Sequence, residues 1–279
     1  MKLPPVKPQQ AFTLLELVVV LAVIAAVLLT VFPALTKTNP NVSTMQCLNN
    51  SRQLAVAWRM YAEDNRDYLI YCSENPINNA SQYSWVRGYL DFDPSNPANY
   101  DANTMFGGSP FYSYTGKNPA IYKCPSDRST VVVAGTARPR IRTMTMNYYV
   151  GGFEGGVSPG YSYYHFLSEV NGRVHTPGPA NLWVFLEIRP DASDFSNFLV
   201  DMSGYSPSNP SAYGIYDFPG FYHNQGCNLS FADGHGETHK WVDPRTTPPL
   251  GSMGSGGSHI ASPRNLDVGW LQDHSSRPK

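Results

Sequence analysis

The stretch FTLLELVVVLAVIAAVLLTVFPAL, residues 12–35, decides how the rest of the chain is read. It is 24 residues long and carries a single charge, Glu16. At about 1.5 Å per residue, a helix of that length spans about 36 Å, enough to cross a hydrocarbon core of about 30 Å. A carboxylate inside lipid is costly, so Glu16 requires a partner of opposite charge. Ahead of the run lies MKLPPVKPQQA, whose side-chain charges are Lys2 and Lys7. A secretory signal peptide also opens on cations, but its apolar core is about 7–15 residues and its small-residue cleavage site follows that core. Here the run is longer, a glutamate sits near its start, and the small residue Ala11 precedes it. The simpler alternative is an ordinary one-pass anchor or an uncleaved signal.

The remainder of the chain reads as an extracytoplasmic domain. A net charge of −1 with 15% charged residues argues against a nucleic-acid surface, which needs a basic excess. With 23 Gly, 24 Pro and 13% aromatics, the composition favours a loop-rich, β-containing fold over a helical bundle. Residues 37–44 (KTNPNVST) form a break: Pro40 cannot continue an undisturbed helix, and Ser43 or Thr44 can cap a new one. From 45 to 65 the periodicity is helical. Leu48, Ala55, Trp58 and Ala62 lie on one side, with Cys47, Leu54 and Tyr61 beside them.

Residues 67–124 are irregular, with short strands expected at 68–72 and 84–89. Further strands are expected at 130–134 and 143–150. The best buried strand is NLWVFLEI at 181–188, a continuous apolar run ended by Glu187 and then Arg189-Pro190-Asp191. Strands at 227–232 and 235–241 flank Asp233-Gly234, a pair that signals a type I′ hairpin. The Pro-, Gly- and Ser-rich tail is expected to be mobile.

Two resemblances follow from particular residues. Ala11-Phe12-Thr13-Leu14-Leu15-Glu16-Leu17 closely resembles the class III signal of type IV pilin-like proteins, which include the pseudopilins of type II secretion. That resemblance implies cleavage between Ala11 and Phe12 by a prepilin peptidase that also methylates the new amine. It further implies that Glu16 pairs with the amine of a neighbouring subunit, and that Pro33 loosens the helix. Near the other end, His223, nine residues and then Asp233-Gly234 resemble the His-x9-Asp-Gly signature of a large group of pilin-like proteins. Residues 187–191 and 123–127 are similar to segments of that group, more loosely.

The implied fold is α+β and pilin-like, a long N-terminal transmembrane and stem helix packed on a loop-rich antiparallel β-sheet head. The implied divisions are a leader 1–11, a membrane and assembly helix 12–35, a stem continuation 36–66, a head 67–245 and a flexible tail 246–279. The implied role is a structural filament subunit of a type II secretion or type IV pilus-like system. Its partners are then the prepilin peptidase/methyltransferase, other pilin-like subunits, an inner-membrane assembly platform and the membrane itself, with the head in the periplasm. The alternative is a membrane-anchored module that captures a metal, glycan or protein.

Three chemical options remain open at this level. His235, Glu237 and His239 alternate along one expected strand and so share a face, with His223 and Asp233 nearby. Imidazole and carboxylate ligands suit zinc and oxygen ligands suit calcium, but a polar strand face explains the same pattern without a cofactor. Cys47, Cys72, Cys124 and Cys227 permit two disulfides in three pairings, or four buried thiols. Catalysis has little support: no Gly-x-Ser-x-Gly, His-Glu-x-x-His or phosphate loop is present, and the chain reads as a non-enzyme. His223 and Asp233 are expected to hydrogen-bond loop backbone around the hairpin.

Overall fold

The structure, a computed structural model, describes residues 14–23, 40–74, 83–151, 160–172, 174–192, 195–251 and 259–279. Ala11, Phe12 and Pro33 lie outside the described residues. The chain divides into two units, Met1–Val42 and Ser43–Lys279. In the first, residues 14–23 form a helix, α1, and every one of its side chains is exposed. Its large residues, from Leu14 at 79% to Val20 at 47% accessible, surround it with apolar surface on all sides. Among the described residues no helix is long and apolar enough to cross a membrane.

The second unit begins on α2 (Pro40–Asp64). The helix starts at Pro40, three residues before the expected cap. Proline is well tolerated in a first turn, where its missing N–H has no helical partner and its φ is already helical. Leu54, Ala55, Trp58 and Ala62 are fully buried, which confirms the periodicity. At the edge of this face, beside Leu48 and Ala55, Arg52 donates to the Gly236 carbonyl at 3.1 Å and Arg59 to the Ala232 carbonyl at 2.9 Å. These polar positions therefore tie the helix to a hairpin.

The principal sheet has five strands: β3 (Met144–Asn147), β4 (Trp183–Glu187), β5 (Asn197–Phe198), β7 (Gly226–Phe231) and β8 (Gly236–Lys240), in the order β5-β3-β4-β7-β8. It is mixed, because β5 pairs with β3 in parallel while the other pairs are antiparallel. Two small sheets join β1 (Thr130–Val133) to β2 (Thr136–Pro139) and β6 (Gly214–Ile215) to β9 (Ile260–Ala261). The strands expected at 68–72 and 84–89 are single bridges, Tyr68 to Phe166 and Tyr71 to Ser84.

A core lies on each face of the sheet. Cys227, Leu229 and Phe231 of β7 pack with Trp183, Leu186 and Trp241 on one side. Leu182, Val184, Phe185 and Met144 pack with Leu54, Trp58 and Tyr61 of α2 on the other. Two consecutive residues of β4, Val184 and Phe185, join the α2-side core. A bulge between Trp183 and Phe185 makes this possible, since β4 advances two residues while β7 advances one, from Phe231 to Ser230. Past the bulge the alternation resumes, and Glu187 shares the α2 face with Phe185.

The end of the expected tail is folded. α3 (Leu266–Asp273) is capped by Asn265, whose side chain accepts from the Asp267 and Val268 amides. Val268 and Leu271 are buried, and the Asp267 carboxylate accepts from the Val242 and Asp243 amides. A cap and two buried aliphatics outweigh the entropic pull of a Gly- and Ser-rich approach.

Candidate functional site

A fully enclosed polar cluster is built from four distant parts of the chain. Cys47 comes from α2, and Cys124 follows the short helix at Pro119–Tyr122. Glu187 ends β4, and His223 precedes β7. Cys47, Cys124 and Glu187 have no exposed surface and His223 is 5% exposed. Their donor atoms, two thiol sulfurs, a carboxylate oxygen and an imidazole nitrogen, all lie within 4.8 Å of one another.

The cluster is internally bonded. The Cys47 thiol donates to Glu187 Oε1 at 2.6 Å, and His223 Nε2 stands 3.0 Å from the same oxygen. His223 Nε2 is also 3.5 Å from Cys124 Sγ. Each group has a second anchor. Thr44 Oγ1 holds His223 Nδ1 at 3.0 Å, and the Asn228 amide donates to Glu187 Oε2 at 2.7 Å. The Ser126 amide donates to Cys124 Sγ at 3.4 Å. Asn228 is itself fixed, donating to the Thr44 carbonyl at 3.1 Å and accepting from Thr238 at 2.6 Å.

Local sequence explains these positions. His223 opens a tight turn in which His223 and Gly226 exchange backbone hydrogen bonds at 3.0 and 3.1 Å. Asn224 and Gln225 between them both have positive φ, 52° and 63°, as a type I′ turn requires. Gly226 is obligatory because a Cβ there would stand 2.2 Å from the His239 carbonyl. At the far end of β7 the Asp233-Gly234 hairpin exists, but not as type I′. Gly234 donates to Phe231 O and Phe231 to His235 O, which makes a three-residue loop with positive φ at Gly234. That is the type I turn plus left-handed residue of longer hairpins.

His223 and Asp233 therefore sit at opposite ends of one strand. Asp233 behaves as expected, its Oδ1 accepting from the His235 amide at 3.0 Å. His223 uses its side chain differently, on Thr44, Glu187 and Cys124 rather than on loop backbone.

The electrostatics follow from burial. Burial disfavours a charged His223, but its hydrogen bonds to Cys124 and Glu187 and the Glu187 charge outweigh that and lift its pKa to about 10. Burial, then the hydrogen bond with Cys124 and the Glu187 charge, push the Cys47 thiol well up. Burial thus raises the thiol and opposes the imidazolium, while the Glu187 charge raises both.

The expected ligand set on β8 does not assemble. His235 lies before the strand, stacked on Phe231 at 4.3 Å and bonded to Asp233 Oδ1 at 2.6 Å. His239 stacks on Trp270 at 3.7 Å, and its Nδ1 is 3.9 Å from Glu237 Oε1. Burial lowers its pKa to about 4, with His274 acting in the same sense and Asp267 opposing. Among the described residues, only the Cys47–Cys124–Glu187–His223 group brings three or more such donors together.

All four cysteines are free and buried, so no disulfide is formed. Cys72 packs in the α2-side core with its thiol 3.6 Å from the Tyr148 carbonyl, and Cys227 lies in the opposite core. Sequence reasoning missed the partnership of Glu187, Thr44 and Cys124 with His223, and the support that Asn228 gives Glu187. The available signal was the looser likeness of residues 123–127 and 187–191, which contain Cys124 and Glu187.

The second functional element is the N-terminal segment, where Glu16 lies on α1 among leucines and valines. No curated protein and no solved structure matches the chain. A family model described as the Prokaryotic N-terminal methylation motif matches residues 6–32, so the chain carries the prepilin-type signal of type IV pilin-like proteins.

Proposed function

We propose that this chain is a pseudopilin, cleaved before Phe12, N-methylated there, and built into a filament of a type II secretion or type IV pilus-like system. The methylation motif at residues 6–32 carries this reading, because it implies a prepilin peptidase, a membrane anchor and pilin-like neighbours. Cleavage removes Lys2 and Lys7, the cations that favour cytoplasmic retention. It leaves a free amine four residues from Glu16. Pairing that amine with Glu16 of an adjacent subunit offsets the cost of burying a lone carboxylate. The all-round apolar surface of α1 supports the same reading, since such a helix suits lipid or a bundle of like helices. The head stands in the periplasm, and the role is mechanical rather than catalytic.

Mass spectrometry of the protein recovered from membranes tests this directly. The expected N-terminus is a methylated Phe12, and Glu16→Leu is expected to leave cleavage intact but abolish incorporation into filaments. An intact Met1 would favour a plain anchored module, and normal assembly of Glu16→Leu would overturn the pairing. Deleting the gene and scoring export and surface filaments separates the two kinds of machine.

A further inference from the structure

We propose that Cys47, Cys124, Glu187 and His223 form a structural zinc site that clamps α2 to the sheet. The inference is independent of the filament reading, because it rests on the head alone.

The donor chemistry comes first. Two thiolates and an imidazole select zinc among the common divalent ions, and a carboxylate oxygen is an accepted fourth ligand. Calcium would take about six to eight oxygen ligands, which this cluster does not offer.

The geometry fits. Bond lengths of about 2.3 Å to sulfur and about 2.0–2.1 Å to nitrogen or oxygen place tetrahedral ligand atoms about 3.3–3.8 Å apart. His223 Nε2 to Cys124 Sγ, 3.5 Å, falls in that range, and His223 Nε2 to Glu187 Oε1, 3.0 Å, lies a little below it. The Cys47 to Glu187 separation, 2.6 Å with the thiol donating to the carboxylate, is shorter than a tetrahedral ligand pair. It opens by about 1 Å when a metal ion replaces the thiol proton.

The supporting shell is also in place. Metal-bound imidazoles characteristically commit their second nitrogen to an outer partner, as Thr44 does for His223 Nδ1. The Asn228 amide does the same for the second oxygen of Glu187. These contacts aim Nε2 and Oε1 into the cluster. Four ligands with almost no exposure leave no open coordination position, which marks a structural rather than a catalytic site. The ligands come from positions 47, 124, 187 and 223, so one ion closes three long loops at once. Loops of that length are costly to close, and a metal clip there restrains the unfolded chain most.

The test uses the full-length protein, purified in detergent without chelators. Elemental analysis is expected to find about one zinc per chain, as a closed four-ligand site requires. Cys47→Ser and Cys124→Ser are each expected to lower that content about tenfold or more, whereas Cys72→Ser and Cys227→Ser leave it unchanged. Cobalt loaded into the metal-stripped wild type is expected to show the visible absorption of tetrahedral thiolate coordination. That readout does not depend on the variants folding. A wild type that holds no zinc and yields no cobalt spectrum would overturn the site. So would a Cys47–Cys124 disulfide in the intact mass.

Discussion

The two ends of β7 carry histidines of opposite character. At one end His223 is buried among groups drawn from α2, the turn after Pro119–Tyr122 and the end of β4. At the other, His235 keeps local company, Asp233 and the ring of Phe231, and further along β8, opposite Cys227, His239 lies against Glu237 and the ring of Trp270. The second group has the tidier spacing in sequence, yet only the first converges. Alternation along a strand places side chains on a common face but does not bring their tips to one point. Convergence needs elements that approach from several directions, which a single strand cannot supply.

The largest expected effect lies at the buried end. Glu187→Ala removes the buried carboxylate that Cys47, His223 and the Asn228 amide share, and is expected to cost about 3–5 kcal/mol in urea denaturation followed by tryptophan fluorescence. His235→Ala, at a residue whose side chain is 42% exposed, is expected to stay within about 0.5 kcal/mol. Equal losses for the two variants would erase the contrast.

The turns at the two ends give an intermediate test. Gly226→Ala drives a Cβ to 2.2 Å from the His239 carbonyl and is expected to cost about 1–3 kcal/mol by overpacking. At Gly234 a Cβ meets nothing within 4 Å, so Gly234→Ala pays only for its positive φ, about 1 kcal/mol. A reversed order would contradict the geometry of both turns.

The smallest effect is a slope. His239 in the unfolded chain titrates near its ordinary 6.5, but in the fold burial depresses it to about 4. Between those values the unfolded chain binds the extra proton, so this contribution is complete above the upper value and declines as pH falls toward the lower. Denaturant titrations across that window are expected to show a shallower slope for His239→Gln than for the wild type. Identical slopes would mean that His239 is not held neutral against Trp270.

Much of the fold was legible beforehand. The burial of Trp58 and Leu54 followed from helical periodicity, β4 from a continuous apolar run and β7 from the alternation ahead of Asp233-Gly234. The turn chemistry was only half legible. Asp233-Gly234 did mark a hairpin, but the type I′ backbone fell at Asn224-Gln225, because the close approach of Gly226 to the neighbouring strand sets it. The tail was misjudged from composition, which does not register Asn265 as a cap or Asp267 as an acceptor for the Val242 amide.

By itself the sequence determined the N-terminal segment. An apolar run with one acid, preceded by a small residue, is a local pattern, and the machinery that reads it acts on local pattern. Only the tertiary structure decided what His223 does. Its partners Cys47, Cys124 and Glu187 are 176, 99 and 36 residues away, as the numbering gives by subtraction from 223. No periodicity links positions so far apart. They meet because a bulge in β4 sets which face Glu187 occupies, and because α2 packs across that face and brings Cys47 to it.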